Sequence, residues 1–309
     1  MPATTAETTP EATTDRWYWR NLVYFAALHA LPLGALITGA GPGVFVAAAV
    51  AYAIRIWFVT AGYHSYFSHR AFRTSRAFQL VLAIGAQTSS QGSVLGWAAS
   101  HRHHHVHADE PSDLHSPRHR GLWYAHIGWL LRTEYLRSAR LRTGPFAQVP
   151  ELVWLDRFPY VPPLCLAGAL ALAYGWPGLF IGYGLSTVAV YHATFAVNSL
   201  AHRFGARPYA TPDDSRNNWF VALIMLGGGW HNNHHRHPRS ARHGLRWWEL
   251  DVTYAVLVVL GWLGVVSELR VPRPESVTEA VNEAVNEVVN EAVTEAAAPR
   301  TPEQSHRPC

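Results

Sequence analysis

Between Asn21 and Ile54 the chain carries no Asp, Glu, Lys or Arg, and a second uncharged run extends from Pro162 to Ala201. Runs of this length exceed what a buried helix in a soluble core requires, and each can be divided into two segments of the roughly 20 apolar residues that cross a bilayer. Each run is interrupted by a turn signal, Gly39-Ala40-Gly41-Pro42-Gly43 in the first and Tyr174-Gly175-Trp176-Pro177-Gly178 in the second. The expected architecture is an all-α integral membrane protein with four transmembrane helices in two hairpins. Trp, Tyr and Phe make up 12% of the residues and only 15% are charged, a balance that suits rings at a membrane interface better than a soluble surface.

The basic residues orient this layout. Every one of the 25 is Arg, and neither hairpin turn holds any. They collect before the first run (Arg16, Arg20), between the runs (Arg118, Arg120, Arg132, Arg137, Arg140, Arg142, Arg157) and after the second (Arg203, Arg207, Arg216, Arg236, Arg239, Arg242, Arg246). By the excess of positive charge on cytoplasmic loops, both termini and the segments outside the hairpins face the cytoplasm, with the chain in the cytoplasmic membrane. The net charge of +4 is read as topology and lipid contact, not as nucleic-acid binding.

Histidine is the chemical signal. Eight of the nineteen fall into three clusters beside apolar stretches: His64-x4-His69, His101-x2-His104-His105 and His231-x2-His234-His235. Imidazole is the commonest metal ligand, and helical residues three or four apart share a face, so each cluster can aim several nitrogens at one point. Carboxylates are missing from all three boxes, which favours iron, zinc or copper over magnesium or calcium. The topology sends all three to one side, where together they can build one metal centre. The segment 77–100 begins as an apolar helix but turns small and polar from Gln87 to Ser93; it reads as an interfacial helix whose polar patch faces the protein interior.

Outside residues 16–270 the chain looks unstructured or auxiliary. Residues 1–15 are rich in Thr, Ala, Pro and Glu without a signal-peptide pattern, and 271–309 contains Val-Thr/Asn-Glu-Ala quartets that drift around a helix and suit a solvated, partly helical tail. Cys165 and Cys309 suggest no disulfide.

Several elements together resemble the membrane-bound acyl-CoA desaturases of the stearoyl-CoA Δ9 type, especially bacterial ones. They are Thr60-Ala61-Gly62-x-His64-x4-His69-Arg70, His101-Arg102-x-His104-His105, Asn198-Ser199-x-Ala201-His202 and Trp230-His231-Asn232-Asn233-His234-His235. The resemblance spans about Trp17 to Arg270. It implies four transmembrane helices under a cytoplasmic helical cap carrying a histidine-rich dimetal centre, with two iron ions held by His64, His69, His101, His104, His105, His202, His231, His234 and His235, Asn198 holding a water on one iron and no catalytic residue beyond the ligands. It also implies a bent acyl tunnel with Gln91, Trp97 and Thr194 at its kink. The reaction would be O2-dependent insertion of a cis double bond into a saturated acyl chain, on coenzyme A by resemblance, with acyl carrier protein or a phospholipid left open as carrier.

That chemistry has its own physical logic. Hydrogens on an unactivated alkyl chain are beyond any protein acid or base, so an oxidant made from O2 at a redox metal must remove them. Zinc lacks the redox chemistry, and nine nitrogens exceed what one metal can bind. Asp109, Glu110, Asp113 and Asp251 are candidates to orient the ring N–H groups. Two departures stand out: Gly228 lies where many relatives carry Glu, and no cytochrome b5-type haem motif is present, so electrons would come from a separate ferredoxin or flavin reductase. Rival readings are a diiron hydroxylase or ketolase, and a histidine-rich metal transporter; the latter is disfavoured because the runs hold few ionisable groups. The remaining histidines, His243 among them, read as structural or supporting.

Overall fold

The computed structural model describes residues 16–133 and 145–273. The two expected tails, up to residue 15 and beyond 273, lie outside the described residues, as do Arg137, Arg140 and Arg142. What is described is mostly helical. Three helices are long and apolar enough to cross a membrane: α1 (Trp19–Thr38), α2 (Pro42–Ser68) and α8 (Gly178–Ser199). Between them come α3 (Arg76–Gln87), α4 (Val94–His107), α5 (Pro117–His126), α6 (Pro150–Arg157) and α7 (Val161–Tyr174). After α8 follow α9 (Trp219–Ile224), α10 (His231–Arg236) and α11 (Val252–Trp262). The second uncharged run contributes one long helix and one shorter one, since α7 has 14 residues.

Both expected turns fall where the sequence places them. Gly39 at φ 71° ends α1 and Gly175 at φ 65° ends α7, left-handed conformations that glycine adopts without a Cβ clash. Pro42 then opens α2 at a position where its missing N–H costs nothing. Along α1 and α7 large apolar side chains point outward, with Leu36, Ile37 and Leu172 at 85%, 91% and 92% exposure, a surface suited to lipid rather than water.

Arg55, directly after the first uncharged run, turns inward and is 1% exposed. Its guanidinium donates to the Ala51 carbonyl and to the hydroxyls of Thr187 and Ser186, so the buried charge is held by neutral acceptors on its own helix and α8.

The polar break between α3 and α4 is also internal. Gln87 is fully buried; its Oε1 accepts from the Val94 N–H while its Nε2 donates to the Leu155 carbonyl. Ser93 caps α4 by accepting from the Gly96 N–H, and Ser75 caps α3 by accepting from the Phe78 N–H. The main core gathers Ile56, Phe67, Leu82, Ala86, Val94 and Leu257 where α2, α3, α4 and α11 meet. A two-residue antiparallel pair, Arg73–Thr74 with Val266–Ser267, closes the cap by tying the end of α2 to the chain after α11.

Candidate metal centre

His64 and His69 are five residues apart, a spacing that would splay them around a regular helix. The final stretch of α2, Val59–Ser68, is π-helical, and the His69 N–H donates to the His64 carbonyl. Bonds to the fifth residue back widen the turn and bring both rings to one face. On α4, His101, His104 and His105 project at ordinary helical spacing, and α10 does the same for His231, His234 and His235. His202 follows the end of α8. Thus four separate parts of the chain deliver nine imidazoles.

The nine form two groups. His64, His69, His101, His105 and His234 place one nitrogen each within 4.8 Å of one another; His104, His202, His231 and His235 do the same. In the first group Nε2 atoms approach at 3.0 Å (His64 to His234), 2.8 Å (His69 to His101), 3.0 Å (His101 to His105) and 2.9 Å (His105 to His234). In the second, His231 Nε2 lies 3.0 Å from both His202 Nε2 and His235 Nε2.

These contacts test whether a metal fits. A ring nitrogen that carries a proton has no lone pair left to accept another, so His101, His105 and His234, each touching two neighbours, cannot both accept and donate through Nε2. Converging bare lone pairs call for a cation. With metal–nitrogen bonds of about 2.1 Å, ligands at right angles lie about 3.0 Å apart and tetrahedral ones about 3.4 Å apart. The observed spacing matches the right-angle case, and the donor set fits two transition-metal ions.

Electrostatics keep most of these rings in the ligand form, His104 excepted, where burial lowers the pKa but Asp113 outweighs it and raises it. Burial first, and repulsion among the imidazoles second, hold His101, His105, His231 and His234 well below their ordinary pKa. Burial likewise lowers His69 to about 3 and His235 to about 4, the latter against an upward pull from Asp213.

Carboxylates stand behind the four-histidine group. His202 Nδ1 lies 2.8 Å from Asp109 Oδ2, His235 Nδ1 2.8 Å from Asp213 Oδ2, and His104 Nδ1 3.1 Å from both oxygens of Asp113. Burial alone would raise these three acids, but the facing imidazoles outweigh it and hold them well below the usual carboxylate range. Such partners fix the ring orientation and leave Nε2 free for a metal.

Of the four acids expected from sequence, Asp109 and Asp113 take this role. Glu110 pairs instead with the non-ligand His107. Asp251 caps α11 and accepts from the backbone N–H groups of His243 and Gly244. Both are thus corrections to the expected orienting set. Asp213 was not anticipated; it sits in an irregular loop 22 residues before His235, with no periodicity to reveal it. The Asn232-Asn233 pair inside the third box was also unread. Asn233 bonds Glu249 at 2.7 Å and the His243 carbonyl at 2.8 Å, while Asn217 donates to Asn233 at 2.7 Å, a buried network that fixes α10.

Gln91, Trp97 and Thr194 meet in space. The Gln91 amide donates to the Thr194 hydroxyl at 2.9 Å, and the Trp97 indole N–H donates to Gln91 Oε1 at 3.3 Å. All three line a cavity of about 280 Å³ that reaches from Tyr18 and Tyr160 to His101 and Asn198. A smaller one of about 50 Å³ adjoins it, lined by Trp97, Thr194, Asn198, His64, His231 and Gly228 among others. Gly228 therefore borders the space beside the ligands.

A model of fatty acid desaturases matches residues 40–259, a range that includes all nine histidines. The chain belongs to the fatty acid desaturase family. It is 35% identical over 260 residues to an sn-1 stearoyl-lipid 9-desaturase of Anabaena variabilis, covering 82% of this chain and 94% of that protein. An acyl-CoA C20 Δ5-desaturase of Anemone leveillei is 32% identical over 258 residues, 82% of this chain and 81% of the relative. An sn-2 palmitoyl-lipid 9-desaturase from a Nostoc species is 32% identical over 271 residues, 84% and 93%. This desaturase is accordingly an oxidoreductase.

Outside the centre, the desaturase holds a second histidine assembly. His29 Nε2 lies 3.0 Å from His192 Nε2, and His192 Nδ1 lies 3.0 Å from His126 Nε2, whose Nδ1 is 2.9 Å from the Ser199 hydroxyl. This row ties α1, α8 and α5 together. Its nitrogens pair in sequence and do not converge on a point.

Proposed function

We propose that the protein is an O2-dependent desaturase that places a cis double bond at the Δ9 position of a saturated long-chain acyl group, using two iron ions held by the nine histidines. The observation that carries this reading is the pair of Nε2 clusters with spacings of 2.8–3.0 Å, adjoining a cavity of about 280 Å³ that His101 helps to line. Bound iron would supply the oxidising power, drawn from O2, that an unactivated methylene demands. The protein's own part is positional. The aspartates hold His104, His202 and His235 with Nε2 bare, and Asn198, lining both cavities, holds a water beside the ligands.

Gln91, Trp97 and Thr194 shape the bend of the acyl path. Their mutual hydrogen bonds satisfy the polar groups internally, so an apolar chain can pass without leaving them unpaired. The surrounding rings, with Tyr63 stacked on Trp97 at 5.1 Å and Trp97 on His101 at 5.0 Å, make that wall stiff and place it against a ligand.

The carrier is an acyl lipid rather than coenzyme A. Among the described residues no Arg lines the larger cavity, whose outer part is formed by Tyr18, Asn21, Tyr24, Leu130 and Tyr160. The several phosphate charges of coenzyme A would call for cationic partners there. A glycerolipid ester enters from the bilayer, and two of the relatives are named for acyl-lipid substrates. In this reading α7 is the fourth span, the cap and both termini face the cytoplasm, and a separate ferredoxin or flavin reductase donates electrons.

The deciding experiment is expression in a host lacking its own desaturase, with mass spectrometry of intact lipids and localisation of the double bond. A Δ9 olefin on a glycerolipid is expected. An alcohol or ketone would favour the hydroxylase reading, and no product despite two bound metals would sink the proposal.

A further inference from the structure

His243 belongs to neither ligand group, yet it is 2% exposed and its ring stands against two ligands of the five-histidine group. The ring centroids are 5.1 Å from His64 and 5.0 Å from His234. Neither nitrogen of His243 meets a hydrogen-bonding partner among the described residues, and the same holds for the Nδ1 atoms of His64 and His234. The position of His243 is imposed by its backbone. Its N–H donates to Asp251 Oδ2 at 2.7 Å and its carbonyl accepts from the Asn233 amide at 2.8 Å.

Four buried imidazole nitrogens on three adjoining rings are destabilising if left unsatisfied. A buried water commonly bonds to about three such groups. Tautomer logic then gives each atom a role. When Nε2 of His64 and of His234 is given to a metal, both Nδ1 atoms carry protons and need an acceptor. Asp109, Asp113 and Asp213 answer that need in the four-histidine group. No carboxylate does so for the Nδ1 atoms of His64 or His234 among the described residues; beyond the ligands themselves, the ring standing against both is His243.

We propose that His243 is a positioning residue for the five-histidine site, acting through one buried water. The water accepts from Nδ1–H of His64 and of His234 and donates to the bare nitrogen of His243. One metal is then backed by anions and the other by a neutral ring. This rests on the dimetal reading above.

The test uses the full-length purified protein loaded with iron, measuring metals per chain and their affinities by chelator competition, with thermal unfolding of the metal-free form as a check on the fold. His243→Phe keeps the bulk and removes both nitrogens; His243→Gln restores polar atoms. The expected result is that His243→Phe unfolds at the wild-type temperature but binds one of the two metals about 10–100-fold more weakly, the usual effect of losing such a partner, and that His243→Gln recovers most of the affinity. If His243→Phe does not fold, the smaller His243→Leu takes its place with the same expectation. Wild-type affinity for both metals in the apolar variant, equal loss of both, or no recovery in His243→Gln would overturn the role of His243. A wild-type protein that binds fewer than two metals would instead sink the dimetal reading itself.

Discussion

The Gln91 side-chain amide donates to the Thr194 hydroxyl at 2.9 Å, joining the break between α3 and α4 to the last turns of α8 across 103 residues of sequence. The bond spans the wall of the larger cavity, which both residues line. Thr194→Val removes the acceptor while keeping the shape, so the Gln91 amide loses a partner worth about 1 kcal/mol. We expect roughly a fivefold fall in kcat/KM and a broader spread of double-bond positions, read by mass spectrometry of the products, at unchanged metal content.

Replacing ligands should be far more damaging. His101→Ala or His234→Ala removes a nitrogen that meets two others in the five-histidine group. Desaturation is expected to vanish and bound metal to drop. Full activity in either variant would refute the ligand assignment. His107→Ala, which loses an exposed pairing with Glu110 and a ring contact with the non-ligand His103, should behave as wild type.

Asp213 and Asp251 separate two roles that look alike in sequence. Asp213→Asn weakens the hold on His235 and should lower affinity for one metal about 10–100-fold with little change in folding. Asp251→Asn acts on the cap of α11 and should cost about 1 kcal/mol of stability. Metal titration and thermal unfolding on both variants distinguish these outcomes.

Acid should destabilise the metal-free protein in a defined window. His69 and His115 are lowered to about 3 and His235 to about 4, burial being the main cause in each, against an ordinary value of 6.5. Above pH 6.5 folded and unfolded chains both hold these rings neutral, and they add no pH dependence. Below it the unfolded chain takes up protons that the folded one refuses, so stability falls by up to about 1.4 kcal/mol per pH unit per group. The fall continues until the folded groups themselves charge near pH 4 and 3. Unfolding temperature measured from pH 8 to 5 should be flat at first and then drop; a flat profile throughout would contradict the burial of these rings.

Gly229 admits no side chain. An added Cβ would lie 2.0 Å from the backbone nitrogen of Ala222, where the approach to α10 crosses α9. Gly229→Ala should cost about 2–4 kcal/mol and displace the third histidine box, seen as a lower unfolding temperature and loss of metal together.

Much of this was legible in the sequence because the relevant signals are local. Uncharged runs, glycine turns and the histidine boxes announce long apolar helices and a metal centre without any knowledge of tertiary contacts. The polar stretch 87–93 was readable as inward-facing for the same reason, since lipid cannot satisfy it. What escaped depends on distant loops. Asp213 has no periodic relation to His235, Asn217 reaches the third box from an irregular segment, and His243 gains significance only once its ring is seen beside His64 and His234. Glu110 and Asp251 misled because closeness along the chain to a histidine says nothing about which ring an acid faces.

The five-residue hydrogen bonding over 59–68 means that this part of α2 packs more residues into each turn than ordinary winding allows. Losing a single residue there would let the helix relax to regular pitch and rotate everything beyond it by about 100°. His69 would swing away from its companions although no histidine had been altered. The length of this segment is thus as binding a constraint on the enzyme as the identity of its side chains, and indels between the first two histidines should be far less tolerated than conservative replacements.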